Sequence, residues 1–232
     1  QDARSSHPVT SSLPSKFLEQ GYLIVPGFLT QEEVNSARLE SSRLARVFDQ
    51  TCIRNLRSKS EHFHHLALKG KQQLIPEADY RPVRSILFDK TKEQNWPVTW
   101  HQDLTIAVTR QYNIPDYGPW TTKDKVVHVQ PPIDILAQMI TFRIHLDETP
   151  STNGALRLIP GSHHLGRVPS SRVPALEKND PVICECQPGD LLLMRPLILH
   201  SSPRSESPRH RRVLHFEFAP DTALHSKLAW YE

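Results

Sequence analysis

Pro188-Gly-Asp-Leu-Leu-Leu-Met-Arg-Pro-Leu-Ile-Leu-His200-Ser201-Ser202 is the stretch on which the fold of this chain turns. A tight Pro-Gly-Asp turn feeds an apolar strand that ends on a histidine beside two hydroxyls. Working outward, the same grammar repeats. Val83 to Phe88, Met139 to Leu146, Ala155 to Ile159, Val182 to Cys186, Asp190 to Met194 and Val213 to Phe218 are short apolar or alternating runs. Asn153-Gly154 and Pro160-Gly161-Ser162 supply turn chemistry between them. Many short strands so punctuated predict a mainly β architecture, a sandwich or jelly roll, with helices packed at the N-terminal side.

Before Pro82 the pattern differs. Gly21 to Leu29 is an apolar run that reads as a buried strand. Thr30 with Glu33 three residues on forms a capping box and opens a helix to about Phe48. Residues 1–14 are polar and Ser-rich and are expected to form a flexible arm, with residues 15–232 making one domain. Thr105 to Pro132 carries Tyr112, Tyr117, Trp120 and four prolines, and is expected to form a lid over a pocket.

Composition narrows the class. The 232 residues suit one domain with one sizeable core, and 38% hydrophobic against 23% charged residues excludes a disordered chain. Pro at 20 and Gly at 8 favour rigid turns over long helices. A net charge of +3 demands neither nucleic acid nor membrane, and no basic-aromatic stripe for a polymer is present. No apolar run approaches the roughly 20 residues that span a bilayer. Cys52, Cys184 and Cys186 are too few for a disulfide framework and read as ordinary residues of a reducing, cytoplasmic compartment. The sequence starts at Gln1, so a removed leader is left open, and no feature bears on oligomeric state.

Three elements carry chemistry. In Trp100-His-Gln-Asp103, residues two apart in extended backbone point the same way, so His101 and Asp103 can aim at one point. A surface ion pair would explain that pair equally well. His200, after Leu197-Ile198-Leu199, needs partners for both ring nitrogens if it is buried. A metal on one side and an acceptor on the other would meet that need, as would a core histidine bonded to a carbonyl. Arg211 opens the next strand, where a planar guanidinium suits a carboxylate and Ser202 could share it. A solvated basic loop, with Arg204, Arg209, His210 and Arg212 nearby, is the alternative. Two histidines and a carboxylate would leave three coordination positions of an iron open.

In this order the motifs resemble those of the phytanoyl-CoA dioxygenase family of Fe(II)/2-oxoglutarate oxygenases. The similarity runs from about Phe17 to Pro220, through Gly21–Leu29, Trp100–Asp103, Asn153-Gly-Ala-Leu-Arg-Leu-Ile-Pro-Gly-Ser-His163, Gly189-Asp-Leu-Leu-Leu193, His200 and Arg211. The resemblance implies a double-stranded β-helix (jelly roll, cupin-like). It also implies Fe(II) on His101, Asp103 and His200, 2-oxoglutarate with Arg211 and Ser202 at its distal carboxylate, and O₂ as oxidant. It further suggests cosubstrate contacts from Trp120 and Ile86, with Lys90, Asn95, Gln138 and Arg143 as surrounding candidates. The implied activity is hydroxylation of a small-molecule substrate with release of succinate and CO₂. A cupin-like isomerase or hydrolase, and a non-catalytic binding module on the same fold, are the alternatives.

Overall fold

A computed structural model describes residues 13–77, 79–207 and 209–232. The expected arm falls outside these up to residue 12, and Leu13, assigned to it, is already buried in the core. In chain order the strands are β1 (Tyr22–Val25), β2 (Cys52–Arg54), β3 (Tyr80–Lys90), β4 (Val98–His101), β5 (Ile106–Val108), β6 (Trp120–Lys123) and β7 (Val126–Val129). They continue with β8 (Ile140–His145), β9 (Leu156–Leu158), β10 (Val182–Cys184), β11 (Leu191–Met194), β12 (His200–Ser202) and β13 (Arg211–Pro220). One sheet has six strands in the order β1-β11-β8-β13-β3-β2, a second has four, β10-β9-β12-β4, and a third has three, β5-β7-β6. All pairings are antiparallel, and the mainly β jelly roll expected from the sequence is the architecture.

The six-stranded sheet shows why alternation mattered. Leu214, Phe216 and Phe218 of β13, Phe142 and Ile144 of β8, and Leu191 and Leu193 of β11 all enter one apolar cluster. Val34, Ala37 and Leu44 from helix Gln31–Phe48, with Phe63 and Ala67 from helix Glu61–Leu74, close that cluster from outside. Successive side chains of a strand face opposite ways, so the residues between them look into the molecule. There stand Arg143, His145, His215 and Glu217, polar groups placed inside by the same register that buries their neighbours.

The helix over Gln31–Phe48 starts as its sequence predicts. The Glu33 amide donates to Thr30 Oγ1 and the Thr30 amide to Glu33 Oε2, worth about 1 kcal/mol together in such caps. Cys184 and Cys186 are free, buried and pushed by burial up to about 12, which leaves them protonated apolar fillers. Among the described residues, no helix is long and apolar enough to cross a membrane.

Within the segment expected as a lid, 105–132, β5, β6 and β7 form the three-stranded sheet. Ile106, Val108 and Val129 pack with Leu197, Ala219 and Trp230 into a second apolar cluster. The chain's last strand-like residues stitch it down, the Thr109 amide donating to Ala229 O and the Tyr231 amide to Ala107 O. The three strands are joined by antiparallel pairing and share an apolar cluster. None of the segment's residues lines the cavity described below.

Candidate metal centre and cosubstrate cavity

Pairing of β12 with β4 sets His200 directly opposite His101. Their rings lie 4.1 Å apart, centroid to centroid, and Asp103 follows just beyond the end of β4. Asp103 Oδ1 is 3.5 Å from His101 Nε2 and 3.6 Å from His200 Nε2. Gln102, between the two, is turned the other way and staples the motif. Its amide nitrogen donates to Gly166 O and Leu197 O, and its oxygen accepts from the Val168 amide. The Asp103 amide donates to Pro196 O at 2.9 Å.

Tautomers follow from the partners. His101 Nδ1 faces Thr99 O at 2.8 Å and His200 Nδ1 faces Ile198 O at 2.8 Å. A carbonyl only accepts, so both Nδ1 atoms carry the proton and both Nε2 lone pairs turn toward the Asp103 carboxylate. Three electron-pair donors thus converge within 4.8 Å of one another. Such a set calls for a cation, and two imidazoles with one carboxylate suit a divalent metal needing open positions. Burial opposes ionisation of Asp103, yet the facing His200 and His101 hold its carboxyl well below the ordinary range. Burial likewise works against a charged His101, but Asp103 outweighs it and raises His101.

These groups line a cavity of about 230 Å³. At its other end Arg211, at the start of β13, is paired in register with Lys90 of β3. Arg211 is 3% exposed, and one guanidinium nitrogen donates to Gly154 O at 2.7 Å. Its Nε has no partner, and no carboxylate among the described residues pairs with it. Ser202 Oγ donates to the same Gly154 carbonyl at 3.1 Å and accepts from Lys90 Nζ at 3.3 Å. Gly154 has φ +69°, and a Cβ there would sit 3.1 Å from Pro203 O and 3.6 Å from Arg211 Nε. Burial, with Arg143 nearby, brings Arg211 down to about 9. Burial with Arg211 and Arg143 brings Lys90 down to about 7. Buried cations that lack a counter-charge are costly, and an arriving anion removes that cost.

Arg212, one residue on, behaves oppositely. It pairs bidentately with Asp147 at 2.8 and 2.9 Å, so it is a half-buried structural ion pair rather than part of a solvated loop.

A family profile described as phytanoyl-CoA dioxygenase (PhyH) matches residues 17–213, most of the chain. The chain belongs to the phytanoyl-CoA dioxygenase family. It is 26% identical over 153 residues to the iron/alpha-ketoglutarate-dependent dioxygenase ausO of Aspergillus calidoustus. That match covers 63% of this chain and 45% of the relative, so the chain spans less than half the length of that curated protein. Among solved structures, EctD from S. alaskensis is similar with a TM-score of 0.71 at 16% identity, covering 98% of this chain and 82% of that one. The epimerase SnoN, in complex with Fe³⁺, α-ketoglutarate and nogalamycin RO, gives 0.68 at 16% identity over 90% and 82%. HygX from Streptomyces hygroscopicus, with nickel, 2-oxoglutarate and hygromycin B bound, gives 0.62 at 20% identity over 89% and 85%. These likenesses establish the shared jelly roll.

Two residues carried over from the family resemblance sit elsewhere. Trp120 lies on β6, packs against the second apolar cluster and is not among the residues lining the cavity. The tryptophan that does line the cavity is Trp96, whose carbonyl accepts from Lys90 Nζ at 2.6 Å. Ile86 is buried on β3, but β3 runs on to Lys90, and it is Phe88, two residues along the same face, that reaches the cavity. Of the remaining candidates, Lys90 and Arg143 line the cavity. Asn95 instead anchors Ser205, and Gln138 bonds Asp134 O. Composition gave no hint of Phe88, Trp96 or Gln102. His215 and Glu217 were signalled by the alternation with Leu214, Phe216 and Phe218.

Proposed function

We propose that this chain is a hydroxylase that holds Fe(II) on His101, Asp103 and His200 and 2-oxoglutarate with its distal carboxylate on Arg211 and Ser202. One observation carries the reading. A set of three lone-pair donors and a buried arginine without a carboxylate face each other across one small cavity. O₂ would be the oxidant: with Fe(II) held there, one of its oxygen atoms would go to 2-oxoglutarate, giving succinate and CO₂, and the other to a substrate C–H, giving an alcohol.

The chain's own residues do the rest. The Thr99 and Ile198 carbonyls fix both imidazoles so that their Nε2 atoms bind metal and not protons. Arg211, Ser202 and the Gly154 carbonyl form a rigid end-stop, so that the length of the oxo acid is measured between a fixed metal and a fixed cation. Phe88, Trp96, Val98 and Leu156 make the walls apolar and exclude water from the reacting end. A cavity of about 230 Å³ admits the cosubstrate and the reacting end of a substrate, leaving the rest of a small molecule at the mouth. Because Asp103 fills the anionic ligand position, a halide has no vacated seat, which favours hydroxylation over halogenation.

The test is succinate formation from 2-oxoglutarate with Fe(II), stimulated by members of a metabolite library, followed by product mass under ¹⁸O₂. Labelled oxygen in the product is the expected result. A product of unchanged mass would mean an isomerising enzyme, the class to which SnoN is assigned by name.

A further inference from the structure

Once the triad, Arg211 and Lys90 are accounted for, one more cation faces the same cavity. Arg143 sits in the middle of β8, paired in register with His215 of β13 and Leu192 of β11. One of its terminal nitrogens lies 3.2 Å from His215 Nδ1, its guanidinium carbon lies 5.8 Å from the Phe88 ring centroid, and its Nε is buried without a partner. A guanidinium only donates, so His215 Nδ1 accepts, and the ring proton stands on Nε2. That proton is given to Glu217 Oε1 at 3.0 Å. Glu217 in turn lies 3.7 Å from Arg84, whose charge answers it.

Glu217, His215 and Arg143 thus form a buried brace. The brace aims Arg143 at the cavity, and no carboxylate among the described residues forms an ion pair with it, although the Asp103 charge acts on it from nearby. Asp103, His215 and Glu217 also bring ligand atoms within 4.8 Å of one another. A second metal there would have to displace the bonds at both His215 nitrogens and stand beside Arg143, so this set reads as the brace.

We infer that Arg143 is a second carboxylate-binding residue of the cavity, distinct from Arg211 and positioned by His215 and Glu217. The inference rests on the proposed use of 2-oxoglutarate and adds to it. Arg211 with Ser202 serves one carboxylate, and a second cation braced in the same space calls for another. That carboxylate belongs either to the oxo-acid end of the cosubstrate or to the substrate.

Calorimetric titration of the Zn(II)-loaded full chain separates the two. The first probe is 2-oxoglutarate, titrated into parent, Arg143→Gln, Arg211→Gln and the double variant. The second is butyrate, titrated into the Zn(II)·2-oxoglutarate complexes. If the cosubstrate is the source, Arg143→Gln weakens 2-oxoglutarate by about tenfold or more, and by a similar factor again on the Arg211→Gln background. If the substrate is the source, Arg143→Gln spares 2-oxoglutarate, and butyrate binds the parent complex but not the variant complex. Unchanged 2-oxoglutarate affinity with no Arg143-dependent butyrate binding overturns the inference while leaving the proposed function standing. A zinc-loaded parent that binds no 2-oxoglutarate overturns both. The brace has its own readout. His215→Asn keeps an acceptor oxygen where Nδ1 stood and should retain binding, whereas His215→Leu should match Arg143→Gln. Equal behaviour of the two His215 variants, each retaining one zinc per chain, would remove His215 from the role.

Discussion

The two faces of the six-stranded sheet are made by the same strands, residue by alternate residue, and could hardly differ more. Toward the helices, Phe142, Leu214, Phe216 and Phe218 are fully buried among apolar neighbours. Toward the interior, Lys90, His145, His215 and Glu217 carry charge or polar nitrogen into buried positions, and Arg143 stands half-buried among them. The apolar face obtains its stability from dispersion and dehydration, with nothing left to satisfy. The polar face is held in place by that packing while keeping unsatisfied groups ready for a ligand. One face holds the fold; the other is kept in tension by it.

The comparison is broken most sharply at the ligand set beyond the polar face. His200→Ala should abolish stoichiometric metal binding, measured by elemental analysis after dialysis, with the far-ultraviolet circular dichroism unchanged. Undiminished metal content would detach function from the triad. On the apolar face, Phe142→Ala leaves a hole between the Phe218 ring, 4.5 Å away, and Gly70, and should cost about 3–5 kcal/mol in denaturant unfolding. Metal bound per folded chain should not move. A loss of both together would show that the faces are not separable.

Adjacent arginines sharpen the contrast within one strand. Arg211→Ala should weaken 2-oxoglutarate binding by about 2–5 kcal/mol, while Arg212→Ala, which breaks the pair with Asp147, should lower stability and leave that affinity alone. Interchanged phenotypes in a titration and an unfolding curve would reverse the assignment.

The smallest effect is expected at Lys90, held near 7 by burial and by Arg211 and Arg143 against an ordinary 10.5. Between those values the unfolded chain keeps a proton that the folded chain has released. Stability of the ligand-free protein therefore rises with pH across that window, and the penalty is full below it. Lys90→Met should flatten the slope and stabilise the protein at pH 6 by on the order of 2 kcal/mol, with weaker 2-oxoglutarate binding. A variant less stable than the parent in thermal melts across that range would contradict the idea of a strained cation.

Much of this was legible in the sequence because alternation and turn chemistry are local. Leu214, Phe216 and Phe218 announce their face, and Asn153-Gly154 and Pro188-Gly189 announce their turns. His101 and Asp103 could be paired because extended backbone fixes where residues two apart point. Distance along the chain translated poorly wherever an inserted unit intervened. Trp120 opens β6 of the three-stranded sheet, whereas Trp96, which lines the cavity, stands before Asp103, on the side away from the count. Ile86 was displaced by Phe88 because the strand runs two residues further than its apolar pattern. The Arg212–Asp147 pair joins residues 65 apart, beyond any local signal.

Gly154 has one more consequence. Both side chains proposed to grip the cosubstrate, Arg211 and Ser202, lean on its carbonyl, and a side chain at that position would crowd Pro203 and Arg211. The measuring end of the cavity therefore rests on a main-chain atom that both side chains share. Trp96 and the loop around it are written in side chains. Changes around Trp96 can reshape the mouth for new substrates and leave this shared anchor, the Gly154 carbonyl, untouched.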